Sequence, residues 1–256
     1  GQCFRVAPLP GGTYRFITRA EVLYIRKSAE ETYQVSCGRE AWEHVWSPYF
    51  DLERNYRDIC RTIPPEDPFL DLAAQSGAGI RILRQDPWEM LLTFIISQRK
   101  SIPAIRSVVE LLSERYGTRL QTSAETLYAF PTALQLKDVR PEDYVACKAG
   151  YRAPYLRDAV EQVLSGRLDL SGIGALPDGE LVSALEGVKG VGVKVANCVA
   201  LFAYGRTACA PVDTWIQKII QQAYEGQNPF ARYGDAAGIM QQYFFYYAQT
   251  HKAETA

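Results

Sequence analysis

Val188-Lys189-Gly190-Val191-Gly192-Val193-Lys194-Val195-Ala196-Asn197-Cys198, followed downstream by Pro211-Val212-Asp213, is the stretch that decides the fold. A G-x-G turn sits between apolar residues, with a helical run leading in from Asp178 to Leu185 and another leading out. This is the pattern of a helix-hairpin-helix, expected near residues 181–204. Glycine turns the backbone tightly and lets it approach a phosphate with no side chain in the way. The N–H groups exposed at the turn and at the start of the next helix then make an anion site. Gly190, Gly192 and Val193 are its expected phosphate contacts.

Three residues near the hairpin carry chemistry, and each also has an ordinary reading. Lys194 alone is a solvated helix residue. Asp213 alone is the N-cap of the helical run Thr214 to Ala223. Cys198 alone is a small buried side chain. Their joint order says more. Lys194 and Cys198 are four apart and share a helix face, while Val195, Val199 and Phe202 are expected to pack on the opposite side. An amine nucleophile and a carboxylate beside a phosphate anchor suit the cutting of a base from its sugar.

Composition bounds the answer without deciding it. The chain has 256 residues and a net charge of −1, unlike the basic balance of many nucleic-acid binders. Residues 81–220 carry 17 basic against 15 acidic side chains, and residues 1–80 carry 9 against 11. An anchor built from backbone N–H groups needs few lysines and arginines, so this mild asymmetry is tolerable. The sequence holds no membrane-spanning run and no secretory signal pattern. Its cysteines, Cys3, Cys37, Cys60, Cys147, Cys198 and Cys209, show no metal-ligand spacing and no disulfide framework. An intracellular location is therefore expected, in the cytoplasm or nucleoid of a bacterium or the nucleus of a eukaryote. The chain starts at Gly1 without an initiator Met, and further residues are expected upstream.

Hydropathy patterning divides the chain. Thr13 to Thr18, Val22 to Lys27 and Thr32 to Ser36 alternate polar and apolar residues and read as a small antiparallel sheet. From Glu40 the period becomes helical, with Trp42, Val45, Trp46 and Tyr49-Phe50 on one face. Ile63-Pro64-Pro65-Glu66-Asp67-Pro68 is the clearest punctuation. An N-terminal unit of 1–65, a sheet with helices, and a helical core of 66–256 are expected on either side of it. The fold class is α+β, with everything beyond the boundary helical. Helices are expected from Pro87 to about Ile96, Pro103 to Tyr116, Ala153 to Leu164 and Ala236 to about Thr250.

In these stretches the chain resembles the 8-oxoguanine DNA glycosylases of the helix-hairpin-helix glycosylase superfamily. Gly1-Gln2-Cys3-Phe4-Arg5 is similar to the family's N-terminal signature. Arg81-Ile82-Leu83-Arg84-Gln85-Asp86-Pro87 and Phe94-Ile95-Ile96-Ser97 are similar to the entry into its helical core, and Gly150-Tyr151-Arg152-Ala153 to its DNA wedge. The resemblance implies a bifunctional glycosylase and lyase acting as a monomer on double-stranded DNA that contains an oxidised purine. Lys194 would attack C1′ and form a Schiff base, which then permits β-elimination. Asp213 would stabilise the oxocarbenium-like transition state. The flipped base would lie between Cys198 and Phe245. Gln241 would bond its Watson–Crick edge, and the Gly1 carbonyl would accept the N7–H that distinguishes the lesion from guanine. Tyr151 would fill the gap left in the duplex and Arg152 would meet the base opposite.

Three positions depart from the family. Gln98-Arg99-Lys100-Ser101 stands where an asparagine run reads the opposite cytosine, Ala104 replaces an arginine, and Trp215 replaces a histidine. Arg99 is the expected substitute contact. No cysteine follows Cys209, so the four-cysteine iron–sulfur loop of related enzymes cannot be built there. No cofactor is expected beyond room for a monovalent or divalent cation at the hairpin. Two alternatives stay open at this point. One is a glycosylase for other modified purines, against which Lys194 argues. The other is a non-catalytic helix-hairpin-helix DNA-binding protein, against which the Lys194–Asp213 pair argues.

Overall fold

A computed structural model describes residues 1–251. Four strands, β1 (Ala7–Leu9), β2 (Thr13–Thr18), β3 (Glu21–Ala29) and β4 (Thr32–Val35), form an antiparallel sheet in sequence order. The last three are the alternating stretches of the sequence; β1 is a short edge that pairs Ala7 with Arg15. Phe16 faces Leu23 across β2 and β3. Leu23 is fully buried against Trp46 and Tyr49, which belong to the aromatic stripe from Trp42 to Phe50. That stripe lies on α1 (Arg39–Ala41), a π-helical turn at Trp42–Trp46, and α2 (Ser47–Tyr49). Phe16 meets Phe50 edge-on, with ring centroids 5.1 Å apart.

The chain continues through α3 (Tyr56–Cys60), α4 (Pro68–Ser76), α5 (Pro87–Ser97) and α6 (Ile102–Tyr116). Asp86 caps α5 by accepting from Glu89 N at 3.0 Å, and Pro87 occupies the first turn, where its missing N–H costs nothing. A correction follows α6. The region is not helical throughout, because β5 (Arg119–Gln121) and β6 (Thr126–Tyr128) form a hairpin. Three-residue strands leave too little alternation to read. The hairpin is held from outside itself, by an Arg15–Glu125 ion pair at 2.6 Å and by the Tyr24 hydroxyl on Thr122 and Glu125. Then come α7 (Pro141–Ala146), α8 (Ala153–Leu164), α9 (Asp178–Glu186), α10 (Val193–Phe202), α11 (Thr214–Ala223) and α12 (Ala237–Thr250).

Helix α5 is the axis of the core. Met90, Leu91, Leu92, Phe94, Ile95 and Ile96 are all buried, and a helix apolar on every side must lie inside. It packs on α6, α8 and α10, while α12 packs on α4 and α11. The N-terminal segment threads into this core rather than ending at the sheet. Phe4 meets Phe94 edge-on at 6.0 Å. Arg5, buried, pairs with Glu110 at 3.1 Å and donates to Tyr128 O. Gln2 is bonded to Arg81, Leu83 and Gln85. These bonds fix the position of Gly1. Among the described residues, no helix is long and apolar enough to cross a membrane.

Glu89 sits inside this junction. Burial pushes its carboxyl up from the ordinary 4.5 to about 7, with Asp86 and Glu110 adding to the rise and Arg5 opposing it. A carboxyl raised on folding binds its proton more tightly in the native state, so stability falls as pH climbs from about 4.5 to about 7 and levels above that. Glu89→Gln should be neutral to folding at pH 5 and stabilising at pH 8. Thermal unfolding of both proteins across that range checks this; parallel curves would mean that Glu89 ionises without cost.

Candidate active site

The cleft is built by the N-terminus of α10, the segment before α11, the C-terminal end of α5 and the face of α12. Its volume is about 1100 Å³, ample for one flipped nucleotide. Lys194, Asp213, Gly1, Cys198, Gln241, Phe245 and Arg99 all line it. Seven residues singled out from the sequence, the first and last 244 positions apart, thus meet in one cavity. The hairpin glycines, Val193, Tyr151 and Arg152 lie outside its lining.

Lys194 is the second residue of α10 and is half-buried. Its Nζ lies 5.6 Å from the centroid of the Phe94 ring. Cys198, one turn on, is buried, and burial pushes its thiol up to about 11, against the opposing pull of the hydrogen-bonded Lys194 ammonium. At neutral pH it is therefore a neutral thiol, a soft wall and not an ionic partner. Phe202 corrects the helix-face reading. It continues the stripe of Lys194 and Cys198 at the next turn, lines the cleft and stacks on Phe94 at 5.6 Å.

Asp213 is the N-cap of α11. Its Oδ1 accepts from Trp215 N at 3.0 Å and Ile216 N at 2.9 Å. Both bonds fall on one oxygen, and the carboxylate is held at the cleft wall beside Trp215. On α12, Gln241 is buried and donates through Nε2 to Pro211 O at 2.9 Å, while its Oε1 accepts from Gln242 Nε2 at 2.7 Å. The amide is fixed in one orientation, with one N–H and one lone pair unspent. Gly1 packs so closely on Phe245 that a Cβ there would lie 2.7 Å from the ring, so only glycine brings this backbone to the aromatic face.

The hairpin is set at the cleft's edge. Gly190 has φ +81°, and a Cβ would overlap the Tyr155 ring; both facts demand glycine. Val193 is 63% exposed, at a helix start where the first N–H groups have no intrahelical partner. Asp158 on α8 accepts from Lys189 N at 2.8 Å and holds the turn from behind. Tyr151 is half-exposed on the short turn before α8, edge-on to Tyr155. Arg152, expected to meet the base opposite, lies inside the protein here. It is buried beneath the Tyr151 ring, 4.2 Å from its centroid, and donates to Ala149 O and Gln98 O.

Phe94, Phe202, Gln98 and Asp158 are the site residues that sequence reasoning missed in these roles. Phe94 and Phe202 lie in apolar runs, where nothing distinguishes a cleft wall from core. Among the described residues, no group of three His, Cys, Asp or Glu side chains gathers that could hold a metal.

A helix-hairpin-helix beside a lysine-bearing cleft, on a helical core, is the architecture of the helix-hairpin-helix DNA glycosylases. The 3-methyladenine DNA glycosylase of Archaeoglobus fulgidus shares the fold at a TM-score of 0.77 and 17% identity, over 97% of this chain and 90% of that one. Likeness rises sharply within one branch. Residues 1–91 match the 8-oxoguanine DNA glycosylase N-terminal domain. The Clostridium acetobutylicum 8-oxoguanine glycosylase/lyase, solved with double-stranded DNA containing cytosine opposite 8-oxoG, superposes at a TM-score of 0.92 with 37% identity, over 98% of this chain and 90% of that one. The probable N-glycosylase/DNA lyase of Methanothermobacter thermautotrophicus is 29% identical over 240 residues, 82% of this chain and 75% of that protein. The chain belongs to the 8-oxoguanine DNA glycosylase family, and its enzyme class is N-glycosylase/DNA lyase.

Proposed function

We propose that this chain removes 8-oxoguanine from duplex DNA and then nicks the strand through a Schiff base on Lys194. The observation that carries the reading is the convergence of Lys194 and Asp213 on one cleft with Gly1, Cys198, Gln241 and Phe245. Once the Lys194 ammonium has given up a proton, its amine attacks C1′ of the flipped nucleotide; the C1′–N9 bond breaks, the base leaves with its electron pair and takes up a proton, and the new C1′-bound nitrogen sheds one. Opening of the sugar ring gives the Schiff base. Loss of a C2′ proton then expels the 3′-phosphate by β-elimination. Asp213, held as a carboxylate at the wall, stabilises the positive charge that develops on the sugar before the C1′–N bond to lysine is complete.

Recognition follows from the same walls. Oxidation at C8 puts a hydrogen on N7, which guanine leaves as an acceptor. The Gly1 carbonyl accepts from the lesion and repels the parent base. Cys198 and Phe245 supply the two apolar faces, and Gln241 has an N–H and a lone pair left for the Watson–Crick edge. The hairpin at Gly190, Gly192 and Val193 holds a backbone phosphate through N–H groups, and Tyr151 fills the vacated stack.

Arg99 is the reader of the opposite base. It lines the cleft, is exposed, and holds φ +51°, a left-handed conformation that costs some strain. Its guanidinium fork suits the adjacent O2 and N3 acceptors of cytosine. Arg152 could join it only by giving up its bonds to Ala149 and Gln98. Single-lesion duplexes with C, T, A or G opposite, treated with borohydride, test the whole reading on wild type and Arg99→Ala. The expected result is a trapped covalent complex with 8-oxoguanine duplexes, strongest opposite cytosine, and a cytosine preference reduced about tenfold in the variant. Base release without any trapped species would overturn the lysine mechanism. An equal loss opposite all four bases would make Arg99 a phosphate contact.

A further inference from the structure

The loop between α5 and α6 bonds both to the hairpin and to the turn that carries Tyr151, a second tie between two DNA-facing parts that α8 already links through Tyr155 and Asp158. Gln98 ends α5. Its side-chain Nε2 donates to Ile95 O at 3.2 Å and to Gly190 O at 3.1 Å, the latter on the hairpin. Its backbone carbonyl accepts from Arg152, which supports the Tyr151 ring. Two residues on, Lys100 Nζ donates to Lys148 O at 3.0 Å. Lys148 is itself in the left-handed region, at φ +65°, in the turn that leads to Tyr151. The hairpin, the Tyr151 turn and the exposed Arg99 are thus bracketed from one short loop.

We propose that Gln98 is a positioning residue that fixes the distance between the phosphate-holding hairpin and the base-displacing Tyr151. Extrusion of a nucleotide requires both parts to act on one stretch of duplex at once. The hairpin grips the backbone while the ring enters the stack. If the spacing is loose, the duplex can be held without the ring entering, or entered without the flipped base reaching the cleft. Both Gln98 N–H donors are committed to carbonyls, one on each side of the gap between α5 and the hairpin. Its peptide oxygen carries the constraint on to Arg152. Gln98 needs no contact with the lesion to do this, and the loop conformation it fixes includes the left-handed backbone of Arg99.

This proposal rests on the excision reading above, and the test separates the two. Gln98→Met keeps the length and volume of the side chain and removes the donors. Three duplexes are compared in single turnover: 8-oxoguanine opposite cytosine, 8-oxoguanine opposite an abasic analogue, and a preformed abasic site opposite cytosine. The first requires a paired base to be displaced; the second has no pair to break; the third has no base to expel. Gln98→Met is expected to lose about tenfold on the first, since small misplacements of reacting groups cost this much or more. It should recover most of that on the second and lose less than threefold on the third. A fluorescent adenine analogue placed beside the lesion should report slower unstacking in the variant.

Equal losses on all three duplexes would overturn the proposal in favour of a general structural role. So would an unchanged rate on the first. A wild-type chain inactive on all three would overturn the excision reading itself. Gln98→Glu, which sets an acceptor against two carbonyls, should be at least as impaired as Gln98→Met on the first duplex. A Gln98→Glu protein as active as wild type would remove the two side-chain bonds from the argument.

Discussion

Lys194→Gln is expected to yield no borohydride-trapped complex and to lower base excision by at least about 1000-fold, since Lys100 and the Gly1 amine, which also line the cleft, are held in other places and do not take over the nucleophile's position. Glutamine keeps the helix propensity and most of the stem, so α10 should hold its place. The lost Lys194–Phe94 contact is worth about 0.5–1 kcal/mol, a small part of the stability of a core this size. Binding to lesion duplex should persist, because the hairpin N–H groups, Tyr151 and Arg99 are untouched. The measurements are single-turnover excision, strand nicking and a binding isotherm on one duplex. Undiminished nicking by the purified variant would move the nucleophile elsewhere. Loss of binding in parallel with loss of excision would mean that Lys194 holds DNA and does no chemistry.

Much of this site is legible in the sequence because the relevant physics is local. A G-x-G turn is specified by the conformations only glycine adopts, and Gly190 has the positive φ that the pattern demands. Asp213 is an N-cap candidate from its neighbours alone, and it does cap α11. Helix α8 runs from Ala153 to Leu164 as read, since an N-terminal proline and a Ser-Gly stop mark its ends. What the sequence hides is pairing between distant residues. Gln98 and Gly190 are 92 positions apart, and nothing near Gln98 announces its partner. Asp158 and Lys189 are 31 apart, and the carboxylate reads as one more solvated charge on α8. The β5–β6 hairpin is hidden because its strands are too short to show alternation, and its outer support is distant too, since Arg15 and Glu125 belong to different parts of the chain. Arg152 shows a different limit. The sequence places Arg152 beside the wedge as a contact to the opposite base, but not the backbone carbonyls at Ala149 and Gln98 that hold it beneath the Tyr151 ring.

Asp213→Asn separates two roles that coincide on one side chain. As a cap, Asp213 accepts two N–H bonds through Oδ1. Asparagine has an oxygen in the same place and caps helices about as well, so the fold should lose little, on the order of a few tenths of a kcal/mol. As an electrostatic element, the carboxylate faces a sugar that becomes positive as the base departs. An amide dipole cannot replace a full charge in a cleft from which the bound nucleotide excludes water. Excision should therefore fall by about 100-fold to 1000-fold, the loss typical when one preorganised charge-stabilising group is removed. Thermal unfolding should change by only a degree or two. The preformed abasic duplex sharpens the test. There the base is already gone and no oxocarbenium need form, so Asp213→Asn should trap on that substrate far closer to the wild-type rate than on the intact lesion. Equal loss on both substrates would assign Asp213 to the positioning of Lys194, and full excision by the variant would reduce it to a cap.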